Sequence, residues 1–176
     1  MDKLKEIRLA LFARRNGIVA DGLRAAGDPH HYIMGCQLSD LIALVQQYEP
    51  SAPLAQALWD ARDHRECRLM APMLYPAEQY DSNTALRWCH EVLTEEEADV
   101  LCHRLLRHLE FTPQLVASLL ASDSQLARYV GYRLALNLQI IGRLEVDEPL
   151  RQQAVHERDL PHTAGMHQLL TALLEP

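Results

Sequence analysis

Apolar residues recur at steps of three and four along most of the chain, the spacing that places side chains on one face of an α-helix. The first run of this kind covers residues 2–26 and includes Ile7 and Leu11. Gly27 and Pro29 end the run, because glycine favours the end of a helix and proline cannot continue one. The pattern therefore predicts a single long amphipathic helix over residues 2–26.

Proline and small polar residues mark where the later helices begin. Pro53 and Pro113 suit the first turn of a helix, since the N–H that proline lacks would have no partner there. Thr94 and Glu97 form the Thr-x-x-Glu pattern of a capping box. After a connector at 30–36, the predicted helices cover residues 38–48, 52–60, 63–74 and 82–92, then 94 to about 109, a helix from 112, one from 122 to about 141, and finally 147–157 and 163–174.

The chain also shows weak internal repetition. Residues 88–90 (Trp-Cys-His) in one predicted helix are echoed by residues 101–103 (Leu-Cys-His) in the next. Degenerate helix pairs of this kind are typical of an α-solenoid, in which each pair packs against its neighbours. With no strand pattern to compete, we expect an all-α fold and one domain over residues 1–176. An irregular helical bundle is the alternative to the solenoid.

The charge of the chain is unevenly spread. A net charge of −7 counts against a general nucleic-acid binder. Residues 25–99 carry four basic residues against thirteen acids, whereas residues 100–143 carry five arginines against two acids. An acidic protein can still hold phosphate when its basic groups share one face, so this segregation matters more than the total.

Membrane insertion, secretion and metal binding are not indicated. No apolar run approaches the roughly 20 residues of a membrane span, and the first residues lack the apolar core of a signal peptide. The four cysteines have no tight spacing that would indicate a metal site or a disulfide framework. We expect a cytoplasmic protein with reduced thiols, no metal and no cofactor.

Four short segments together resemble the AlkD-like family of DNA alkylation repair proteins. The clearest is residues 58–71, where Leu-Trp is followed by a charged turn and then by Arg-Glu-Cys-Arg. The others are the turn at Gly35 that leads into Leu-Ser-Asp-Leu at 38–41, the segment 99–102 and the segment 127–132. The resemblance extends over most of the chain and implies a superhelix of HEAT-like antiparallel helix pairs.

The resemblance also implies a chemistry. Competent relatives excise cationic N-alkylated bases from DNA, with aromatic side chains against the deoxyribose and a carboxylate that stabilises the developing oxocarbenium charge. Here Ala98 stands where the aromatic is expected, and Cys102, or His103 in a register shifted by one, stands where the carboxylate is expected. Asp99 is the nearest carboxylate, and we interpret it as a first-turn acid that favours the helix dipole. The candidate catalytic residues are Asp99, Cys102 and His103, in a constellation that has lost its key groups.

Arginines supply the candidate DNA contacts. Arg104 and Arg107 lie on one flank of a predicted helix beside His103 and His108. Arg128 and Arg133 lie on a later predicted helix and continue the basic face if the two helices pack in register. Guanidinium groups hold DNA phosphates without reading bases. The resemblance places the family's functional arginine at Arg128, or leaves that position to Tyr129. A solvated polar face is the alternative. The candidate DNA-binding residues are Arg104, Arg107, Arg128 and Arg133.

We therefore predict a protein similar to DNA alkylation repair proteins that binds duplex DNA through an Arg-rich concave face and has an eroded catalytic site. Such a protein would be cytoplasmic and, when bound to DNA, associated with the nucleoid. One alternative is an active N-alkylpurine DNA glycosylase that uses a displaced carboxylate such as Asp99. The other is a protein-interaction scaffold without DNA affinity, whose acidic residues 25–99 meet a basic protein partner.

Overall fold

The protein is all-helical, as the sequence predicts. The computed structural model describes residues 2–175, and within this range it contains eleven α-helices and two short 3₁₀ helices. The only β-type pairing among these residues is an isolated bridge between Tyr32 and His64. None of these helices is long and apolar enough to cross a membrane. The α-helices are α1 Lys3–Ala13, α2 Gly17–Ala25, α3 Leu38–Val45, α4 Ala52–Asp60, α5 Arg65–Leu74, α6 Ser82–Glu91, α7 Glu95–Arg104, α8 Thr112–Leu120, α9 Gln125–Ile140, α10 Glu148–Arg158 and α11 Ala164–Leu174, and the 3₁₀ helices are Ala77–Gln79 and Leu106–His108.

The first predicted helix is in fact two helices, so the prediction of a single helix over residues 2–26 is wrong. Asn16 separates α1 from α2. Its side chain accepts a hydrogen bond from the N–H of Val19 at 3.3 Å, and its own N–H donates to the carbonyl of Met34 at 2.8 Å. Asparagine is a preferred N-cap because its side-chain oxygen satisfies an N–H of the first turn that has no partner within the helix. The predicted stop at Gly27 is confirmed, and this glycine has a φ of 86°.

The later helices lie close to their predicted positions. The bounds of α4 coincide with the prediction, and those of α5, α6, α10 and α11 differ from it by no more than two residues. Pro53 and Pro113 lie in the first turns of α4 and α8, as predicted. Three helices are shorter than predicted by more than two residues: α3 ends at Val45, α7 ends at Arg104, after which the chain enters the second 3₁₀ helix, and α9 begins at Gln125.

The predicted N-cap Thr94 fixes the start of α7, whereas the reciprocal bond of the predicted capping box is shifted by one residue, from the N–H of Thr94 to that of Leu93. Thr94 Oγ1 accepts a hydrogen bond from the N–H of Glu97 at 3.1 Å. Glu97 Oε2 accepts one from the N–H of Leu93 at 2.9 Å. Because both ends of this turn are held, the register of α7 is defined, and with it the positions of the candidate residues that α7 carries.

The chain divides into two compact units, one up to Asp81 and one from Ser82, each with its own buried core. A single domain over the whole chain stays a prediction. In the first unit α5 packs against α3 and α4. Trp59 of α4 is almost completely buried, and the guanidinium carbon of Arg68 lies 3.5 Å from the centre of its ring. This cation–π contact places a charged side chain inside the core of the first unit.

A buried carboxylate holds the connector between α2 and α3. Glu66 is 1% exposed. It accepts hydrogen bonds from the N–H groups of Met34 at 3.1 Å and Gly35 at 2.9 Å, and from Arg65 at 2.9 Å. A buried charge without partners would be costly, so these contacts tie the connector firmly to α5.

In the second unit α9 is the central helix. It packs against α7, α8 and α11 and is buried along most of its length. At Gly131 a Cβ would meet Leu120 Cδ2 at 2.8 Å and Leu119 Cβ at 3.1 Å, so the absence of a side chain allows α8 to approach closely. Trp88 of α6 is fully buried in the core of this unit. The α7–α9 pair carries most of the candidate residues.

Candidate nucleic-acid interface

Four basic side chains follow one another where α7 ends and the second 3₁₀ helix begins. Arg107 Nε donates to His108 Nε2 at 3.2 Å. Arg104 is half-buried, and its Nε is buried without a hydrogen-bond partner among residues 2–175. Within the same range neither arginine has a carboxylate at ion-pair distance. We call this set the basic cluster, and its members are His103, Arg104, Arg107 and His108.

Within the basic cluster, burial and the neighbouring arginines lower the tendency of His103 to carry a proton. Loss of hydration, and then the charges of Arg107 and Arg104, lower the pKa of His103 below its usual value. An imidazole with a lowered pKa is neutral at pH 7. Arg143 donates to the carbonyl oxygens of Arg107 at 2.9 Å and Leu109 at 3.0 Å, which braces the backbone of the cluster. The sequence interpretation did not single out Arg143, although it lies in the arginine-rich stretch.

Arg128 has a different environment, because its guanidinium is held on two sides. Nε and Nη2 donate to the two carboxylate oxygens of Glu157 at 2.8 and 3.2 Å. Nη1 donates to the carbonyl oxygens of Ser122 and Asp123, both at 3.0 Å. The side chain thus joins the start of α9 to α10, and its N–H groups donate to partners within the protein.

Arg133 forms a triad with Asp99 and Tyr129, which we call the Asp99 triad. Arg133 Nε lies 2.6 Å from Asp99 Oδ1, an ion pair without the geometry of a hydrogen bond. The Tyr129 hydroxyl donates to Asp99 Oδ1 at 2.9 Å and accepts from Arg133 Nη2 at 3.1 Å. Asp99 lies in the second turn of α7 and interacts with α9. The interpretation of Asp99 as a first-turn acid is therefore wrong.

Burial has the largest effect on the protonation of the Asp99 triad. Loss of hydration raises the pKa of Asp99, and the charge of Arg133 and the hydrogen bond from Tyr129 offset only part of this effect. Burial also raises the pKa of Tyr129. Its hydroxyl is therefore protonated at pH 7 and remains a hydrogen-bond donor to the carboxylate.

The Asp99 triad lines a cavity of about 450 Å³ in the second unit. Glu95 and Glu96 of α7 and Gly165 and Leu169 of α11 line it as well. Glu95 also accepts a hydrogen bond from the Thr163 hydroxyl. With three carboxylates and one guanidinium in its walls, the cavity favours a cationic group over a phosphate. The sequence interpretation missed Glu95 and Glu96, because acids in the first turn of a helix already have a role in stabilising its dipole.

Of the three candidate catalytic residues, which lie within about one turn of α7, Asp99 alone lines the cavity. Asp99 opens on the cavity, and His103 belongs to the basic cluster. Cys102 is fully buried, with Sγ 3.7 Å from the carbonyl oxygen of Val130. Burial raises the pKa of the Cys102 thiol well above its usual value, so the thiol is unreactive at neutral pH. Ala98, where the resemblance expects an aromatic, is also fully buried.

Neither a metal site nor a comparison with known proteins assigns a function to this chain. In the part of the chain that the structure describes, no group of three or more His, Cys, Asp or Glu side chains is placed to hold a metal ion. Comparison with protein-family models, with curated proteins and with solved structures finds no match to this chain. The resemblance to AlkD-like proteins, with the activity and partner that it implies, therefore stays a prediction.

Proposed function

We propose that this chain is a cytoplasmic helical-repeat protein that binds the phosphate backbone of duplex DNA, similar to DNA alkylation repair proteins. The observation that carries the proposal is the basic cluster. Arg104 and Arg107 lie about one turn apart, and neither has a carboxylate partner between residues 2 and 175. Arg128 and Arg133 contribute less, because their ion pairs already engage their guanidinium groups.

Arginines in this setting suit phosphate contact. A guanidinium presents parallel N–H donors that match two phosphate oxygens. Each phosphate that is neutralised releases condensed counterions from the duplex, and this release drives binding at low salt. The hydrogen bonds from Arg143 to the carbonyls of Arg107 and Leu109 hold the backbone of the basic cluster in place. Less conformational entropy is therefore lost when the duplex binds.

The proposed repeat architecture rests on consecutive helix pairs. α4 packs against α5, α8 against α9, and α10 against α11. Short connections between the members of each pair favour an antiparallel arrangement. We propose that these three pairs are HEAT-like repeat units, each of which buries the apolar face that its partner presents.

The test is duplex binding over a salt series, measured by fluorescence anisotropy with a labelled 20-base-pair duplex. The variant Arg104→Gln/Arg107→Gln removes both arginines of the basic cluster. At about 50 mM salt we expect it to bind at least about tenfold more weakly than the wild type. The slope of log affinity against log salt should fall in magnitude by about 1.8, since each phosphate contact contributes about 0.9.

A charge-matched control separates this contact from the change in net charge. Arg62 and Arg87 are exposed and lie outside the basic cluster, and Arg87 forms an ion pair with Glu91. The variant Arg62→Gln/Arg87→Gln should keep the wild-type slope. An equal loss in both double variants would contradict a specific contact. No binding by the wild type at about 20 mM salt would contradict DNA binding altogether and would favour the scaffold.

Excision of alkylated bases is a second candidate function, and the Asp99 triad favours it. The carboxylate of Asp99 and the ring of Tyr129 border a cavity with an acidic lining. Such a setting stabilises the positive charge that develops on the sugar as a glycosidic bond breaks. If the Asp99 triad performs this reaction, the wild type releases alkylated purines from methylated duplex DNA and Asp99→Asn abolishes release, as measured by chromatography. Binding without release would leave the backbone-binding function alone.

A further inference from the structure

The first unit contains a second cavity, of about 610 Å³, which has no part in the proposed duplex contact. It lies where the end of α1, the start of α2 and the connector meet. Its volume falls in the range of small-molecule sites, roughly 300–1,000 Å³. We call it the first-unit cleft, and the residues that matter for its chemistry are Phe12, Arg15, Arg24, His31 and Tyr32.

The first-unit cleft has two arginines, Arg15 and Arg24, and no carboxylate among the described residues that line it, and Arg24 is paired with exposed Asp21 beside the cleft. Arg15 Nη1 donates to the carbonyl oxygen of Phe12 at 3.0 Å. Arg24 Nη2 donates to that of Ile33 at 3.1 Å, and its Nη1 pairs with exposed Asp21 outside the lining. A guanidinium has five N–H donors, so each arginine retains donors for an anion.

The first-unit cleft has two exposed aromatic rings, of which Tyr32 is held in place, whereas the guanidinium carbon of Arg15 lies 4.1 Å from the centre of the Phe12 ring and covers one face of it. Tyr32 is 43% exposed and Phe12 is 52% exposed. The ring of Tyr32 stacks on His64 with centroids 4.3 Å apart, and the ring of His31 meets it edge-on at 4.5 Å. The backbone of Tyr32 is fixed by two hydrogen bonds, one to the carbonyl of Asp63 and one from the N–H of Arg65. A ring that is held in this way offers a stacking surface at little cost in conformational entropy.

We propose that the first-unit cleft binds a nucleotide, with the phosphate held by Arg15 and Arg24 and the base stacked against the aromatic ring of Tyr32. The combination selects this ligand class, because an inorganic anion would leave the Tyr32 ring uncovered and a neutral ring would leave the remaining donors of the guanidinium groups without a partner. The nucleotide is either free or the phosphorylated end of a single strand. This site is independent of the basic cluster, which belongs to the other unit.

The test uses the full-length protein and isothermal titration calorimetry with adenosine 5′-monophosphate. We expect a Kd below about 1 mM, with adenosine and inorganic phosphate each binding at least about tenfold more weakly. Arg15→Gln should weaken binding by at least about tenfold, because it removes a charge-assisted phosphate contact. Tyr32→Leu should weaken binding by a similar factor through the loss of stacking.

Arg14 provides a matched control for Arg15. Both arginines are exposed, and each donates from Nη1 to one backbone carbonyl at 3.0 Å, Arg14 to Ala10 and Arg15 to Phe12. Only Arg15 lines the first-unit cleft. Arg14→Gln should therefore change the affinity for adenosine 5′-monophosphate by less than about twofold. Equal losses in the two variants would overturn the proposal, and so would the absence of nucleotide binding by the wild type.

Two further arms identify the source of the nucleotide and separate this proposal from duplex binding. A 5′-phosphorylated oligothymidylate that binds more tightly than adenosine 5′-monophosphate assigns a strand end, and weaker binding assigns a free nucleotide. Equal binding of 5′-phosphorylated and 5′-hydroxyl oligothymidylate, with no binding of the mononucleotide, would overturn the proposal. Arg15→Gln should keep the wild-type salt slope for duplex DNA, so either proposal can fail while the other stands.

Discussion

At Gly35 the backbone of the first unit turns with a φ of 74°, a conformation that side chains with a Cβ rarely adopt. A Cβ at this position would lie 2.2 Å from the carbonyl oxygen of Asn16 and 2.7 Å from the nitrogen of Ala20. The N–H of Gly35 donates to buried Glu66. One residue therefore lets the connector pass against α2 and delivers a hydrogen bond to a buried charge.

Gly35 and Gly27 both have a positive φ, so their alanine variants separate backbone strain from steric clash. Gly35→Ala should lower the free energy of unfolding by more than about 3 kcal/mol, because the strain of positive φ is added to a clash with backbone atoms. Gly27 has a φ of 86°, but a Cβ added there would meet nothing within 4 Å, so Gly27→Ala should cost only about 1–2 kcal/mol. Urea unfolding followed by circular dichroism measures both. Similar losses would show that the close approach at Gly35 does not matter.

The packing of α7 on α9 brings the residues of the Asp99 triad together. Asp99 of α7 and Arg133 of α9 form the ion pair that borders the second-unit cavity. The sequence sufficed to start α7 at the correct residue, because Thr94 and Glu97 are a local signal. It could not show that Asp99 meets Arg133, since the two residues are far apart in sequence and only the packing of α7 on α9 brings them together.

The same limit explains the error at α1 and α2. The apolar run over residues 2–26 also includes Leu9, Phe12 and Ile18, yet these side chains are 56%, 52% and 87% exposed. Apolar side chains on the surface kept the pattern continuous across Asn16, where the helix is interrupted. Periodicity identifies helical segments well but does not separate two helices when exposed apolar residues bridge the break.

The raised pKa of Asp99 gives the α7–α9 pair a pH dependence of defined sign. A carboxyl group that binds its proton more tightly in the folded than in the unfolded state stabilises the fold as the pH falls. We expect the melting temperature of the wild type, measured relative to Asp99→Asn, to rise as the pH falls from the folded pKa to the unfolded value of about 4, and to stay level above that window. Thermal melts from about pH 4 to pH 8 measure the difference. A difference that grows with increasing pH would contradict the raised pKa.

For the whole molecule, the sequence predicts helix formation well, but it does not predict which charged side chains remain available to a ligand. The apolar periodicity predicted a helical protein, and the structure shows all four cysteines free and buried. Which arginines remain open to a ligand was beyond the reach of composition. Arg128 and Arg133 are neutralised by Glu157 and Asp99, partners that the fold brings to them from other helices. Arg104 and Arg107 have no such partner among residues 2–175.

The buried thiols lead to a prediction for the intact protein. Burial raises the pKa of Cys36 and of Cys67 to about 11 each, and that of Cys89 to about 12. A thiol with a pKa of 11 is about one part in a thousand thiolate at pH 8. Ellman's reagent should therefore detect less than about one thiol per native chain within minutes at pH 8, and four after unfolding in guanidinium. Rapid modification of one thiol in the native protein would contradict this burial.

The burial of Trp59 and Trp88 places one indole in the core of each unit. The tryptophan fluorescence of the protein is therefore the sum of two emitters, each shielded from water in the core of its own unit. Trp88→Phe leaves an emitter in the first unit alone, and Trp59→Phe leaves one in the second. The molecule thus carries an optical reporter for each unit, through which the unfolding of either can be followed without an added dye.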